Sequence, residues 1–466
     1  MPHNDSDRPD CLISPAVLPP GWRSHAARNL PRYTSYPTAV AFEPVAGEAE
    51  ARTWLAATRA DQTLSAYVHV PFCRRLCWYC GCHTSVVHDY DRVRAFFETL
   101  MREVDLWADA VGPHAGAAHL HFGGGSPNAL SPEDFLALVR HLSGRLALRP
   151  GAEVAAELDP GMLSDAFIDA AGEAGVTRAS LGGQTFDPDV QTRVNRVQPF
   201  DQVAAANDRL RKAGVAAINF DLMYGLPGQT PDNVAASTEA AVTLRPDRVA
   251  VFGYAHVPWM KKHQVMIKEA DLADGDGRWA QAEAADSVLR AAGYLRIGLD
   301  HYAQPGDALA LAAASGRLRR NFQGYTDDPA PVLVPIGPSS IGRFDGGFVQ
   351  NAAATDVWAR AVEAGRLPVA RRLGVTAEDD LRAAVIERLM CDLTVDVGDV
   401  CLSQGFAPDA LDTAVAAAAG LEADGLCRVE DRRVTIRAGA YRLMRVVAAC
   451  FDEHLPAVAR RHARAV

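Results

Sequence analysis

The sequence predicts an α/β chain: a partial (β/α)6 barrel with an N-terminal arm and a smaller, α-rich, winged-helix-like C-terminal domain. Three observations carry that expectation. Six short apolar runs alternate with amphipathic stretches of helical length from Leu64 to Tyr254, the rhythm of βα units and a parallel sheet. The first fifty residues show neither a helical nor a strand period. After about Leu367 the pattern turns helix-rich. The boundaries follow: 1–50 for the arm, 51–366 for the barrel and 367–466 for the C-terminal domain.

The arm is rich in Pro, Arg and small polar residues, and includes Asn29-Leu30-Pro31-Arg32-Tyr33-Thr34-Ser35-Tyr36-Pro37-Thr38. Two tyrosines and an arginine, without a period that could bury a core, predict a segment closing over a site rather than folding alone. The predicted strands are Leu64–Val70, Ala118–Phe122, Glu153–Leu158, Arg178–Gly182, Ala217–Met223 and Arg248–Tyr254. Helices are predicted at Asp91–Trp107, Pro132–Leu146, Ser164–Ala174, Val203–Ala213 and Pro231–Leu244. Six units are too few to close an eight-stranded barrel, so an open one is expected. In the last hundred residues, Ala377–Leu393, Ala407–Ala423 and Ala440–Phe451 have helical patterns, and Leu426–Ile436 reads as a hairpin around Glu430-Asp431-Arg432.

Composition narrows the function. At 466 residues with 48% hydrophobic and 22% charged, the chain can bury a large core without staples. No run of 18 apolar residues occurs, which argues against a membrane-spanning helix. The polar, acidic start has no apolar leader, so a cytoplasmic protein is expected. A net charge of −10 argues against a nucleic-acid partner. We expect a monomer.

Nine cysteines are present, and four fall between Cys73 and Cys82. Cys73, Cys77 and Cys80 have C-x3-C-x2-C spacing directly after the first barrel strand, and strand C-terminal ends are where barrel chemistry sits. Three thiolates in eight residues can wrap one soft-metal object. Structural zinc wants four ligands, usually as two separated pairs. An iron–sulfur cubane on three thiolates leaves one iron for an external ligand. The cluster is the favoured reading, with zinc and structural thiols as the alternatives. Cys82 stands too close to Cys80 to reach the remaining iron easily, and is expected near the site as a non-ligand. The other cysteines are scattered.

Gly123-Gly124-Gly125-Ser126-Pro127 follows the second strand, and its glycines allow close backbone approach to a ligand. Glu157, Gln184, Arg196, Asp221 and Ala255 stand at or just beyond the ends of the third to sixth strands. Any one alone would be an ordinary rim contact. Together they outline one pocket mouth.

The cysteine loop, with an aromatic before its last cysteine, resembles the radical S-adenosylmethionine superfamily. The further Cys82, the upstream Tyr67-x-His69-x-Pro71-Phe72 and the arm from Arg32 to Thr38 resemble one family within it, the oxygen-independent coproporphyrinogen III oxidases. That resemblance runs from about Asn29 to the C-terminus. It implies a radical-SAM barrel, one [4Fe–4S] cluster on Cys73, Cys77 and Cys80, and two S-adenosylmethionine molecules. Tyr67, Gly124 and Glu157 match positions around the first. Tyr79, Gly125, Ser126, Gln184, Arg196, Asp221, Ala255 and Ile341 match positions around the second. The implied reaction is anaerobic oxidative decarboxylation of two propionates of coproporphyrinogen III, giving protoporphyrinogen IX for heme (and chlorophyll) biosynthesis. A 5′-deoxyadenosyl radical starts each round, with electrons from a donor such as flavodoxin or ferredoxin.

Ser126, Asn128 and Thr185 depart from the family pattern, which usually has threonines at the first two positions and an acid at the third. A heme-binding chaperone or another tetrapyrrole-acting paralogue is the alternative; Cys82 and the Arg32–Thr38 arm favour the enzyme. Of only four lysines, Lys261, Lys262 and Lys268 fall within eight residues after the sixth strand. Lys268 alone matches the family there and is the candidate substrate contact.

Overall fold

The structure is a computed structural model in which residues 16–455 and 465 are described. The barrel strands are β1 (Leu64–Val70), β2 (Ala117–Gly124), β3 (Glu153–Leu158), β4 (Arg178–Gln184), β5 (Ala217–Tyr224) and β6 (Arg248–Gly253), paired parallel in that order. A seventh parallel strand, β7 (Val332–Ile336), joins β1 on its other side with Val334 opposite Ala66. It was not expected. Pro335 interrupts its run, and no helical pattern directly precedes it to mark a βα unit.

Antiparallel strands extend both edges into one thirteen-stranded sheet. On the β7 side these are Ile341–Phe344, Gly347–Asn351 and Val369–Gly374, with Glu43–Pro44 of the arm outermost. Val369–Gly374 therefore belongs to the barrel sheet, so the last unit starts at the next helix rather than at 367. On the β6 side, His301–Ala303 and Leu295–Ile297 complete the sheet.

Helices cover the outer face, and their starts are written in the sequence. Asp89 caps α1 (Tyr90–Ala110), Ser131 caps α2 (Pro132–Arg145) and Ser164 caps α3 (Asp165–Glu173). The series continues with α4 (Phe200–Lys212) and α5 (Pro231–Thr243), where Thr230 and Asn233 form a reciprocal capping box. Asp274 caps α6 (Gly275–Ala291). Val93, Phe96, Phe97, Leu100, Val104 and Trp107 give α1 one buried stripe against the sheet. Deep in that interface, Glu103 accepts hydrogen bonds from Trp107, Asn351 and the Gly337 amide (2.7 Å). Gly337 has φ +89°, and a Cβ there would fall 2.3 Å from the His69 carbonyl, so only glycine allows β7 to end this close to β1.

The barrel floor is ionic. Glu153, Arg178 and Arg248 stand at the starts of their strands, and Asp307 joins both arginines, 2.6 Å from Arg248. A buried charge set of this kind stands only when every member is paired.

The C-terminal unit opens with α7 (Ala377–Asp392), started by a Thr376–Asp379 capping box and ended by Leu393 at φ +61°. Val397–Ser403 is an unforeseen second helix, and the Ala407–Ala423 pattern condenses to Asp412–Ala419. The hairpin of Cys427–Glu430 and Arg433–Ile436 gains a third strand, Thr394–Asp396, to make a three-stranded wing. The final pattern is one α-turn flanked by 3-10 turns.

The arm does not stand apart. Leu18, Trp22, Leu30, Tyr33 and Tyr36 are buried in the core of this unit. Trp22 packs 5.9 Å from Trp279 of α6, and Tyr33 donates to Asp452 at 3.0 Å. Residues 1–15, including Cys11, lie outside the described residues. Among the described residues, no helix is long and apolar enough to cross a membrane.

Candidate active site

Beyond β1, Pro71 turns the chain into a short pairing of Phe72–Cys73 with Ser85–Val86, and the cysteine loop hangs between those strands. Its backbone is tied down from two sides. From the loop after β4, Val194 O accepts from the Trp78 amide (3.0 Å) and Asn195 donates to Leu76 O (2.9 Å). From the segment after β6, Gln264 donates to Tyr79 O (3.0 Å), His263 to Cys80 O (2.8 Å) and Lys261 to Cys82 O (3.0 Å). These three polar residues went unassigned in the sequence. A polar cluster on a segment returning to the strand ends was the signal. Lys268 does not share the role: it is exposed and lines none of the cavities described here.

Cys73, Cys77 and Cys80 line one cavity of about 170 Å³, together with Cys82. Burial and the neighbouring thiolates of Cys80 and Cys77 push the Cys73 thiol up to about 12. Hydrogen bonds from Cys82 and the nearby His263 and Lys261 draw Cys80 down to about 6 despite its burial. Arg196 points one guanidinium nitrogen at Cys77 Sγ (3.6 Å) and the other at Gly182 O (2.9 Å) and Asp159 (3.3 Å). Its buried Nε has no hydrogen-bond partner among the described residues. Clustered thiols beside fixed cations suit a metal–sulfur group, which binds thiolates. The unpartnered Nε suits an anionic ligand next to it.

The glycine turn forms the opposite wall. Gly124 has φ +107°, and a Cβ there would fall 2.6 Å from the His69 ring; at Gly125 it would fall 2.6 Å from Phe72 O. A side chain at either position would collide with the cluster-loop strand. Glu157 accepts from His121 (3.0 Å) and, at 3.4 Å, from the Gly124 amide. Burial alone would raise this carboxyl, but those bonds and the imidazoles hold it below the usual range. His69 donates from Nε2 to His83 O (2.8 Å), so its Nδ1 accepts from Tyr67 Oη (3.2 Å). Burial draws His69 down to about 4, which keeps the imidazole neutral. Tyr67 stacks on His121, 5.7 Å between ring centres, behind Glu157.

Gln184, at φ +58°, and Asp221 face the same cavity. Asp221 accepts from Ser180 and Asn219, both at 2.9 Å. Burial and repulsion from Glu157 raise it to about 6 all the same. Tyr79, Cys80, Cys82, Glu157, Gln184 and Asp221 also line a second cavity of about 510 Å³ that runs down the barrel and includes Ala255.

Three expected residues stand elsewhere. Tyr67 lines none of the cavities described and reaches Glu157 only through His121, on which it stacks. Ser126 is buried behind the wall, where it is hydrogen-bonded to Asn128 and accepts from the Asp159 amide (3.1 Å). It acts on the cavity through Asp159 and Arg196. Ile341 lines none of the cavities described; it pairs with Gln350 in the sheet extension. Thr185, the third departure, is also buried, facing Ser237 (3.3 Å). The departures thus fall in packed walls rather than on cavity surfaces.

The fold and this thiol-bearing rim define a radical S-adenosylmethionine protein, and residues 67–241 match that superfamily. Over 443 residues the chain is 45% identical to the oxygen-independent coproporphyrinogen III oxidase of Bradyrhizobium diazoefficiens, covering 95% of this chain and 98% of that one. It is 43% identical to the enzyme so named from Paracoccus denitrificans, over 91% of this chain and 94% of that one. The solved coproporphyrinogen III oxidase of Escherichia coli superposes with a TM-score of 0.87 at 32% identity, covering 91% of this chain and 98% of that one. The chain belongs to the oxygen-independent coproporphyrinogen III oxidase family. Membership of the superfamily implies a [4Fe–4S] cluster and S-adenosylmethionine.

Proposed function

We propose that this chain converts two propionate side chains of coproporphyrinogen III to vinyl groups without oxygen, yielding protoporphyrinogen IX. The observation that carries this reading is the 45% identity maintained along 95% of the chain to an oxidase of that name. The rim geometry supports it. Cys73, Cys77 and Cys80 would hold the cluster, with Cys82 beside it as a free thiol. A bound cluster and S-adenosylmethionine supply reductive carbon–sulfur cleavage and hence a 5′-deoxyadenosyl radical.

Two S-adenosylmethionine molecules fit the donor groups. Tyr67, Gly124 and Glu157 serve the first: the Gly124 backbone admits it closely, and the Glu157 carboxylate offers an acceptor to its ammonium group. Tyr79, Gly125, Gln184, Arg196, Asp221 and Ala255 serve the second, with Arg196 Nε directed at a carboxylate. The substrate loses, per propionate, one hydrogen atom from the β-carbon, carbon dioxide, and one electron to a one-electron acceptor. The protein's task is to hold that carbon near the radical and keep water and other hydrogen donors away. Flavodoxin or ferredoxin suits the electron supply. The eight cysteines among the described residues are free thiols, which suits the reducing cytoplasm.

The test is an anaerobic assay of reconstituted protein with coproporphyrinogen III, a reductant and S-adenosylmethionine, with product analysis by mass. Protoporphyrinogen IX is the expected product. Substrate returned unchanged, with stoichiometric heme retention, would replace the enzyme by a heme carrier.

A further inference from the structure

A further cavity, about 680 Å³, lies beyond the barrel mouth rather than under the cysteines. Its size is that of a site for one small ligand. It shares Arg32, Gly253, Tyr254 and Ala255 with the barrel cavity, so the two meet at the end of β6. Tyr224, Tyr254 and Trp259 give it flat aromatic walls, and Trp259 is 62% exposed at the opening.

Two guanidinium groups converge on Gly253 at that junction. Arg32 comes from the arm, donates to Gly253 O (3.0 Å) and lies over the Phe252 ring. Arg278 comes from the first turn of α6 and lies over the Tyr224 ring, 5.5 Å from its centre. Glycines clear its place: a Cβ at Gly225 would fall 2.2 Å from Arg278 Nη1, and one at Gly253 would fall 3.1 Å from Nη2. A cation in the first turn of a helix also runs against the helix dipole. Asp300, 3.7 Å from Arg32, offsets part of this charge; Glu269 and Asp274 also line the cavity, as do Arg442 and Arg445, so arginines outnumber acids there. Two forked cations beside aromatic walls match a flat apolar ring system with carboxylates on its edge.

We propose that this outer cavity holds the tetrapyrrole ring, and that Arg32 and Arg278 bind carboxylates of its propionates. Arg32, at the doorway, holds the propionate that reacts and so presents its β-carbon to the barrel cavity. This rests on the reading under Proposed function. It also replaces Lys268 as the substrate's cation: the anion is met by fixed arginine forks drawn from the arm and α6, not by a lysine on the surface turn.

The test measures binding of coproporphyrin III, the stable oxidised tetracarboxylate, and of its tetramethyl ester to anaerobically reconstituted enzyme by fluorescence quenching. The wild type should bind the free acid at least tenfold more tightly than the ester. Arg278→Gln and Arg32→Gln should each weaken free-acid binding roughly 10- to 100-fold, the range for losing a charge-assisted hydrogen bond, and leave ester binding unchanged. Arg278→Lys should restore only part of the loss. Equal wild-type affinity for acid and ester overturns the proposal without any variant. So does free-acid binding by Arg278→Gln at the wild-type level. Failure of the wild type to turn over coproporphyrinogen III, with the acid preference intact, would instead sink the catalytic reading and leave the carboxylate site standing.

Discussion

Four cysteines within ten residues line the small inner cavity, whereas the outer cavity draws its walls from Asn29 through Ala465. The thiol-bearing wall is one loop, whose backbone carbonyls accept hydrogen bonds from the side chains of Asn195, His263 and Gln264. The outer wall exists only once the arm, α6 and the C-terminal unit have packed together. Radical chemistry needs a reacting group placed to within a fraction of an ångström. Substrate recognition needs reach across a wide, mostly apolar surface. The two ends of the channel are built to those different demands.

The comparison breaks most sharply at the cysteines. Cys77→Ala should lose iron and sulfide after anaerobic reconstitution and fall to background turnover, whereas Cys82→Ala should keep its iron. Full iron in the first variant, or none in the second, would reverse the assignment. Acid should separate the two ends. Burial and Glu157 place Asp221 near 6, so its carboxylate is present above that pH and protonated below it. S-adenosylmethionine affinity should therefore fall toward a limit of about tenfold per pH unit below 6. Arginines stay charged there, so coproporphyrin affinity should stay flat between about pH 7 and 5.5. In Asp221→Asn the slope should vanish; a slope that persists assigns the titration to another group.

A smaller effect is expected at Lys261, which holds only one carbonyl of the loop. Lys261→Met should make the cluster a few-fold more labile to chelator, in line with about 1 kcal/mol for one hydrogen bond. Chelation at the wild-type rate would show that His263 and Gln264 suffice. Smallest of all is Lys268→Ala. An exposed cation away from the cavities should leave KM for coproporphyrinogen III within error, and a several-fold rise would return Lys268 to the substrate.

How much of this was legible in the sequence follows the same division. The parallel strands and the clustering of the thiols are local patterns, and the six predicted strands stand where their spacing placed them. Gly124, Gly125, Glu157, Gln184, Arg196 and Asp221 also share one cavity, because strand C-terminal ends bring them together whatever lies between. What stayed hidden depends on packing between distant segments. Trp22 and Tyr33 lack a helical or strand period because their core partners are Trp279 and the residues around Asp452, some 250 and 420 positions away. Nothing near Arg32 or Arg278 announces that they meet on Gly253. Ser126 was expected as a contact from the family resemblance, yet its hydroxyl faces Asp159.

The central claim is that one propionate reaches from the outer cavity, past Arg32, to the thiol-lined rim. The most direct measurement is anaerobic turnover of coproporphyrinogen III deuterated at the propionate β-carbons, with mass analysis of the 5′-deoxyadenosine formed. Deuterium in the 5′-deoxyadenosine, accompanied by vinyl formation, is the predicted result. Unlabelled 5′-deoxyadenosine from a reaction that still produces vinyl groups would contradict it.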